Sequence, residues 1–395
     1  MKAEGRVKIQ IAAILAFIVF AAVGFSRTHL SKNQGDQQKP AATALWRPRK
    51  EVKDARFVGS NACTQCHEKI SALQHHTLMS KALALTASCE ILISHRELTL
   101  RDGPYVYRIV RSGDRSLYTV TDGTKTISEP ILYCFGQGKA GQTYVFKHND
   151  SFYESRMSFF KEINGLDYTI GYSRAAPPTL DEAAGRAISS DEAKNCFSCH
   201  ATGAVGDDRL QLVQMMPGVG CEACHGPGGK HVLAMKSQKS AEPYIFDPAN
   251  LDADELGQEF CGACHRSVDE VSHMPNLGGG INNVRFQPYR LFLSPGHNPT
   301  DPRLSCTACH DPHDNPSQDA AFYDAKCFAC HQSGTSNRQN SLKGIDRGGR
   351  TARACPKSNK LCITCHMPQV EIPGSHFKFT DHRIRIVRPG DPYPN

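Results

Sequence analysis

The chain has little apolar material for its length and no cluster of basic residues. Hydrophobic side chains make up 39% of its 395 residues, a modest share for a chain long enough for two or three domains. This composition indicates that something other than side chains supplies part of the core. The formal net charge is +7, but the basic residues are scattered, which argues against a nucleic-acid binder. Glycine (32) and proline (23) are plentiful and indicate many loops.

A long hydrophobic run occurs at the N-terminus. It covers residues 9–25 and follows three basic residues, which is the pattern of an export signal. A run of about 17 residues is at the short end for a membrane-spanning helix, so a cleaved signal and a retained inner-membrane anchor both stay open. The polar residues 26–55 predict a flexible tether. In either case, the folded part is expected in the periplasm or another extracytoplasmic space.

Seventeen cysteines are a high count, and fourteen of them form seven pairs with a gap of two residues. A histidine follows every pair, which gives C-x-x-C-H, the attachment signature of c-type haem. The two thiols add to the two vinyl groups of one porphyrin, and the histidine ligates the iron. Zinc knuckles and thioredoxin-like motifs do not require this histidine. The sequence therefore predicts seven covalently attached haem c groups, on Cys63 and Cys66, Cys196 and Cys199, Cys221 and Cys224, Cys261 and Cys264, Cys306 and Cys309, Cys327 and Cys330, and Cys362 and Cys365, with His67, His200, His225, His265, His310, His331 and His366 as iron ligands.

Three cysteines lie outside the motifs. Cys89 and Cys134 flank the same motif-free segment, so a disulfide between them and two buried unreactive thiols are both open. Cys355 is left over. Because each haem brings two propionates, seven ferric haems largely cancel the excess of basic residues, and the charge indicates no partner.

A ligand on the other face of each iron separates a saturated carrier haem from an open, reactive one. Eleven histidines lie outside the motifs. His29, His95 and His148 are expected not to be ligands. Met79 and His75 compete with His76 at the first haem. We expect seven distal ligands, which are His76, His231, His273, His297, His313, His376 and His382.

Between the first and second motifs lies a segment without haem motifs. Within it, residues 105–111 alternate in the manner of a β-strand, residues 112–115 are typical of a turn, and residues 116–121 can form the returning strand. Residues 131–135 and 143–146 are also strand-like. Residues 136–141 match G-x-G-x-x-G, but strand-like residues follow, so a glycine-rich hairpin is favoured over a dinucleotide site.

The organisation predicted from these features has five parts. They are a signal or anchor (1–25), a tether (26–55), a first haem segment (56–88), a haem-free β-rich insert (89–185) and a hexahaem cytochrome domain (186–395). The expected fold class is a mainly α and irregular multihaem cytochrome c fold organised around stacked haems, with a small antiparallel β-rich insert.

Several segments resemble the cytochrome c-552/4 family of multihaem cytochromes, which has doubled C-x-x-C-H motifs. They are residues 57–63, 220–228, 305–313, and 365–368 with 379–384. The resemblance covers most of the chain from about residue 57 onward. It implies that His231, His313 and His382 are distal ligands, and that the protein transfers electrons in a respiratory chain through stacked bis-histidine haems.

The expected function is therefore that of a heptahaem electron carrier with no catalytic residues, although its status as an enzyme stays open. Its partners would be redox proteins, namely other cytochromes or a quinol-linked membrane complex, together with the membrane if residues 9–25 are uncleaved; no nucleic acid is expected. The alternative is a multihaem reductase of a small nitrogen or sulfur compound with one five-coordinate haem. C-x-x-C-K, a mark of one nitrite-reductase family, does not occur. A structural or filament subunit is a third possibility.

Overall fold

A computed structural model describes residues 54–237, 242–273, 280–298, 304–329, 331, 355, 357–388 and 390–394. The predicted signal or anchor and nearly all of the tether lie outside the described residues. Within them, no helix is long and apolar enough to cross a membrane.

An antiparallel sheet of nine strands dominates the regular structure. Strands β2 to β8 follow one another in chain order, while β1 pairs with β5 and β9 pairs with β7. The phenol of Tyr168 in β8 donates a hydrogen bond to Asp102 in β2, so the two end strands meet and the sheet is nearly closed. The strands are β1 (Leu83–Leu85), β2 (Glu97–Asp102), β3 (Tyr105–Ser112), β4 (Arg115–Thr121), β5 (Thr126–Phe135), β6 (Gln142–His148), β7 (Ser151–Phe160), β8 (Gly165–Tyr168) and β9 (Gly185–Ala187).

The strands form because apolar and polar residues alternate with the period of a pleated strand. In β3, Tyr107 and Ile109 are fully buried while Arg108 is exposed. Ile109 lies opposite Tyr118 of β4, which is also buried, and Gly113 makes the turn with a φ of 61°. The predicted strands within residues 105–146 are confirmed as β3 to β6. The G-x-G-x-x-G segment joins β5 to β6, as the hairpin interpretation predicted.

Two apolar clusters lie on the sheet. The first fills its interior and includes Cys89 and Cys134, which are fully buried free thiols in contact with each other. The second lies on the opposite face, where Phe197 packs edge-on against Tyr133 and Phe135, with ring centroids 4.8 and 5.1 Å apart. Phe197 belongs to the helix that carries the second haem motif, so the sheet supports that motif directly.

The helices of the described residues are short, from 4 to 11 residues. Short two-stranded ribbons pair β10 (Ala201–Thr202) with β13 (Met216–Pro217), β11 (Val205–Gly206) with β12 (Arg209–Leu210), and β14 (Gln369–Glu371) with β15 (Lys378–Thr380). The helices are α1 (Ser60–Thr64), α2 (Glu68–His75), α3 (Glu90–Ser94), α4 (Leu180–Ala184), α5 (Ser190–His200), α6 (Cys221–His225), α7 (Gly229–Ser237), α8 (Gly262–His265), α9 (Val268–Ser272), α10 (Gln287–Phe292), α11 (Cys306–Cys309), α12 (Asp324–Phe328) and α13 (Cys362–His366).

The predicted mainly α class with a small β insert is wrong, because the fold is rich in β structure. The sheet begins at Leu83, inside the predicted first haem segment, and is the largest regular element of the described residues. The helices around the motifs are mostly single turns, ended by left-handed residues such as Gly226 (φ 75°) and Arg266 (φ 71°). The gaps between motifs hold loops together with short helices, namely α7 between the third and fourth motifs and α9 and α10 between the fourth and fifth.

Candidate haem sites

Most of the C-x-x-C-H motifs contain a helical turn. Helices α6 and α13 coincide with the third and seventh motifs. At the first, fifth and sixth motifs, the histidine N–H donates to the carbonyl of the first cysteine at 2.9, 2.9 and 3.0 Å. Residues i, i+3 and i+4 share one helix face. A helical turn therefore presents both thiols and the imidazole to the same side, as attachment to one porphyrin requires. Cys330 of the sixth motif lies outside the described residues.

Residues of six motifs, the second to the seventh, line one continuous cavity of about 3010 Å³. A pocket for one small ligand has roughly 300–1,000 Å³. The cavity therefore fits several large flat cofactors side by side. Its motif residues are Cys196, Cys199, His200, Cys224, Cys261, Cys264, His265, Cys306, Cys309, His310, Cys327, His331, Cys362, Cys365 and His366.

The first motif differs from the others because it does not line this cavity. Cys66 is exposed and Cys63 is half-buried, and neither of these thiols nor His67 belongs to the cavity wall. Most of the other predicted attachment cysteines face the cavity. Cys264 and Cys365, which line the cavity, are exposed like Cys66, and the attachment at Cys66 stays a prediction.

Among the described residues, three motif histidines face a second imidazole. Ring centroids are 6.3 Å apart for His67 and His231, with planes inclined by 23°. His225 and His313 lie 6.1 Å apart and nearly parallel, at 5°. His310 and His382 lie 6.2 Å apart, at 46°. Two metal–nitrogen bonds of about 2.0 Å and two half-rings of about 1.1 Å span about 6.2 Å, so each pair has the spacing of two axial ligands on one iron.

Backbone carbonyls orient the imidazoles. Nδ1 of His225 lies 3.0 Å from the Phe246 carbonyl, and Nδ1 of His231 lies 2.6 Å from that of Pro243. Nδ1 therefore donates and Nε2 remains for a metal, the arrangement common among metal-bound histidines. The same contact occurs at three further histidines: His200 to Ala82 (3.1 Å), His366 to Arg385 (2.9 Å) and His382 to Thr380 (3.0 Å).

Burial keeps several of these imidazoles neutral. It lowers the pKa of His382 to about 4 and also lowers the pKa values of His200, His265 and His310. Since a metal binds the neutral imidazole, these side chains are available as ligands at neutral pH without losing a proton. The residues present therefore fit haem.

The other predicted distal ligands occupy different surroundings. His76 does not face His67, because His231 takes that place. Nε2 of His376 lies 2.7 Å from the Asp167 carboxylate. His273 is exposed, with Nδ1 2.8 Å from the Asp269 carbonyl. His297 is buried with its ring 5.0 Å from that of Phe292.

Two histidines expected not to be ligands have their Nε2 atoms engaged by protein. His95 Nε2 contacts Asn164 at 2.9 Å, and His148 bridges Glu129 and Asp181. In the described part of the chain, the rings of His200, His265 and His366 have no imidazole partner at the 6 Å spacing.

Cysteines of different motifs contact each other, which sequence reasoning did not foresee. One such region is formed by Cys224 of the third motif, which lies near Cys261 and Cys264 of the fourth. The first motif therefore adjoins the third, the third adjoins the fourth, the fourth adjoins the second and fifth, and the sixth adjoins the seventh. The contacting thiols are Cys63 with Cys221, Cys199 with Cys264, Cys261 with Cys306, and Cys327 with Cys362.

Comparisons with known proteins find multihaem cytochromes among the similar sequences. Residues 172–226, which include the second and third motifs, match the family model "Cytochrome c554 and c-prime". The chain is 25% identical over 195 residues to the multiheme cytochrome MtrA of Shewanella baltica, covering 44% of this chain and 52% of that one. It is 34% identical over 88 residues to cytochrome c-554 of Nitrosomonas europaea, covering 19% and 36%.

Two further similarities are more distant. The C-type polyheme cytochrome OmcC of Geobacter sulfurreducens is 24% identical over 207 residues, covering 43% of this chain and 25% of that one. The crystal structure of the outer cell wall cytochrome OcwA superposes with a TM-score of 0.46 at 15% identity, over 84% and 80% of the chains. The chain spans about half or less of the length of the curated relatives it matches. From its motifs, its imidazole pairs and the sequence matches, the chain is a multihaem c-type cytochrome.

Proposed function

We propose that the chain is a heptahaem cytochrome that relays electrons between redox proteins of an extracytoplasmic respiratory chain. The observation that carries the proposal is the set of three imidazole pairs spaced at 6.1 to 6.3 Å. An iron with two imidazole ligands has no open position for a substrate, so it suits relay better than substrate chemistry.

In this proposal the fourteen motif cysteines hold the haems through thioether bonds. Haem supplies one-electron chemistry at its iron. His67 and His231 ligate the first haem, His225 and His313 the third, and His310 and His382 the fifth. The roles of His273 and His297 stay predictions. His376 would first have to leave Asp167 to ligate a haem, and the role of His76 stays a prediction.

The protein's contribution is to hold the sites close together. The contacting cysteines of neighbouring motifs bring haem edges close, and electron transfer needs such closeness. The proposed electron path leads from the first haem site through the third to the fourth, and from there to the fifth. The second site lies beside the fourth, and the sixth lies beside the seventh. Because its motif lies outside the common cavity and Cys66 is exposed, the first haem is proposed as the surface end of this path, where a redox partner docks. The proposed partners are other cytochromes or a quinol-linked membrane complex, and residues 9–25 would hold the protein at the inner membrane if they are retained.

The reductase alternative rests on a specific observation: His200, His265 and His366 have no imidazole partner at the same spacing in the described residues. Electron paramagnetic resonance of the oxidised holoprotein, with its intact mass as the haem count, separates the two functions. Purely low-spin ferric signals and a mass increase of seven haems support the relay. A high-spin signal would favour the reductase, and turnover of nitrite or hydroxylamine would then be measured. A mass increase of fewer than seven haems would contradict the heptahaem proposal.

A further inference from the structure

Glu222 lies between the two cysteines of the third motif, yet its side chain reaches the segment that leads into the first motif. It is 4% exposed. One carboxylate oxygen accepts from the N–H of Val58 at 2.9 Å and of Gly228 at 2.8 Å. The other accepts from Gly59 at 2.7 Å and from Val58 at 3.2 Å. Both oxygens are thus satisfied by backbone donors, which is what makes a buried carboxylate tolerable.

The three donors belong to two segments that are far apart in sequence. Val58 and Gly59 directly precede α1, which contains Cys63, and His67 follows that helix. Gly228 directly precedes α7, which contains His231. The carboxylate therefore fastens together the segments that carry the two imidazoles facing each other at 6.3 Å.

Neighbouring contacts tighten the same junction. The N–H of Gly229 donates to the Arg56 carbonyl at 3.0 Å, and the N–H of Cys221 donates to the Ser60 hydroxyl at 3.3 Å. A Cβ on Gly229 would lie 2.9 Å from that carbonyl oxygen, so the backbones are packed as closely as glycine allows. The junction has little room to adjust, so the position of one segment determines the position of the other.

We propose that Glu222 is a positioning residue for the ligand pair of the first haem, acting from inside the motif of the third. Loss of its carboxylate would separate the segment before α1 from the segment before α7, and His231 would move relative to His67. The inference rests on the proposed ligation of the first haem by these two histidines.

The test uses the holoprotein with Glu222→Ala and with the isosteric Glu222→Gln. Glutamine keeps one acceptor oxygen, so its effect is expected to be smaller than that of alanine. An effect remains because its NH₂ group faces a backbone N–H from which it cannot accept. Glu97→Ala is the matched control, because it removes the same carboxylate from an exposed side chain of β2 that lies in no haem motif. His231→Ala identifies which low-spin resonance and which midpoint potential belong to the first haem.

In Glu222→Ala, that one resonance is expected to shift or convert to a high-spin signal of about one iron per molecule, with the other resonances and the haem mass unchanged. Glu222→Gln is expected to shift the same resonance less, and Glu97→Ala to leave all of them in place. If the resonance and its potential are unchanged in both Glu222 variants, the positioning role is refuted. If His231→Ala alters no low-spin resonance of the wild-type spectrum, the ligation itself is refuted, which is a different failure.

Discussion

A buried ion pair next to His382, the proposed distal ligand of the fifth haem, allows the sharpest stability prediction. The Arg290 guanidinium donates to both carboxylate oxygens of Asp381, at 2.8 and 2.9 Å, and both side chains have 0% exposure. Arg385 adds a contact of 2.6 Å to the same carboxylate. Asp381 directly precedes His382, so the pair fixes the backbone from which that imidazole projects.

Asp381→Asn removes the negative charge with almost no change in volume. Arg290 then stays buried without its counter-ion, and breaking a buried pair in this way costs about 3–5 kcal/mol. The measurement is the free energy of unfolding from guanidinium denaturation of the holoprotein, followed by far-UV circular dichroism. This loss of stability is expected to be accompanied by a high-spin ferric signal in electron paramagnetic resonance, because His382 would lose its fixed position.

Glu97→Gln is the control, since it removes a carboxylate 2.7 Å from Arg108 in a pair exposed by 49% and 58%. An exposed pair contributes about 0–1 kcal/mol. If Asp381→Asn costs no more than Glu97→Gln, the buried pair does not hold the C-terminal segment. The double variant Arg290→Met with Asp381→Leu should recover much of the loss, because it leaves no buried charge unpaired.

Two further predictions concern histidines. His382→Ala should open one iron and give a high-spin ferric signal. His376→Ala should leave the ferric spectrum unchanged, because Asp167 engages the Nε2 atom of His376. The reverse result would exchange the roles of the two histidines. His148 lies between Glu129 and Asp181, and its hydrogen bond to Glu129, opposed by burial and aided by Asp181, raises its pKa. Its contribution to stability is therefore complete below the unfolded value of about 6.5 and lost as the pH rises through the raised folded value. In urea denaturation, the free energy of unfolding of His148→Gln should fall furthest below that of the wild type at pH values under 6. An equally large difference at pH 9 would contradict a contribution from protonated His148.

The attachment motifs could be predicted from the sequence because C-x-x-C-H is local. Its geometry needs one helical turn and nothing from the rest of the fold. The surroundings of each motif could not be predicted in the same way, and the exposed Cys66 outside the common cavity is the example. His231, His313 and His382 were also predicted, from their positions in recognisable segments. Their partners were not predictable, because pairing is a property of tertiary structure.

The first haem illustrates the difference. His76 is nine residues from His67 and was expected to be within reach, but α2 runs between them. His231 is 164 residues away, and it faces His67 because Glu222 joins the two segments. Sequence proximity was a poor guide here, since the decisive contact comes from a carboxylate inside another motif.

The extent of the sheet was underestimated for a related reason. The individual strands between Tyr105 and Phe146 were evident from their alternation. The pairing of β1 with β5 and of β9 with β7 depends on segments of three residues each, which are too short to show a period. The spacing of the motifs also gave no indication of how unevenly the protein core is distributed.

That distribution leads to a last prediction. Of the 34 buried apolar residues in the described part of the chain, 27 lie between residues 83 and 204, and seven lie after residue 204. The sheet therefore has a core of its own, whereas the segments after it surround the large cavity and bury little apolar surface without haem. Because apolar burial is the main favourable contribution to folding, haem should be required for the second part to fold and not for the first.

The chain made in a host without haem-attachment machinery tests this directly. Limited proteolysis should leave a resistant fragment of about residues 83–204, with the circular dichroism of β structure, while the remainder is cleaved. The haem-loaded protein is the control and should resist cleavage well beyond residue 204. If the haem-free chain protects both parts equally, or loses the sheet as quickly as the rest, then haem does not replace the missing protein core.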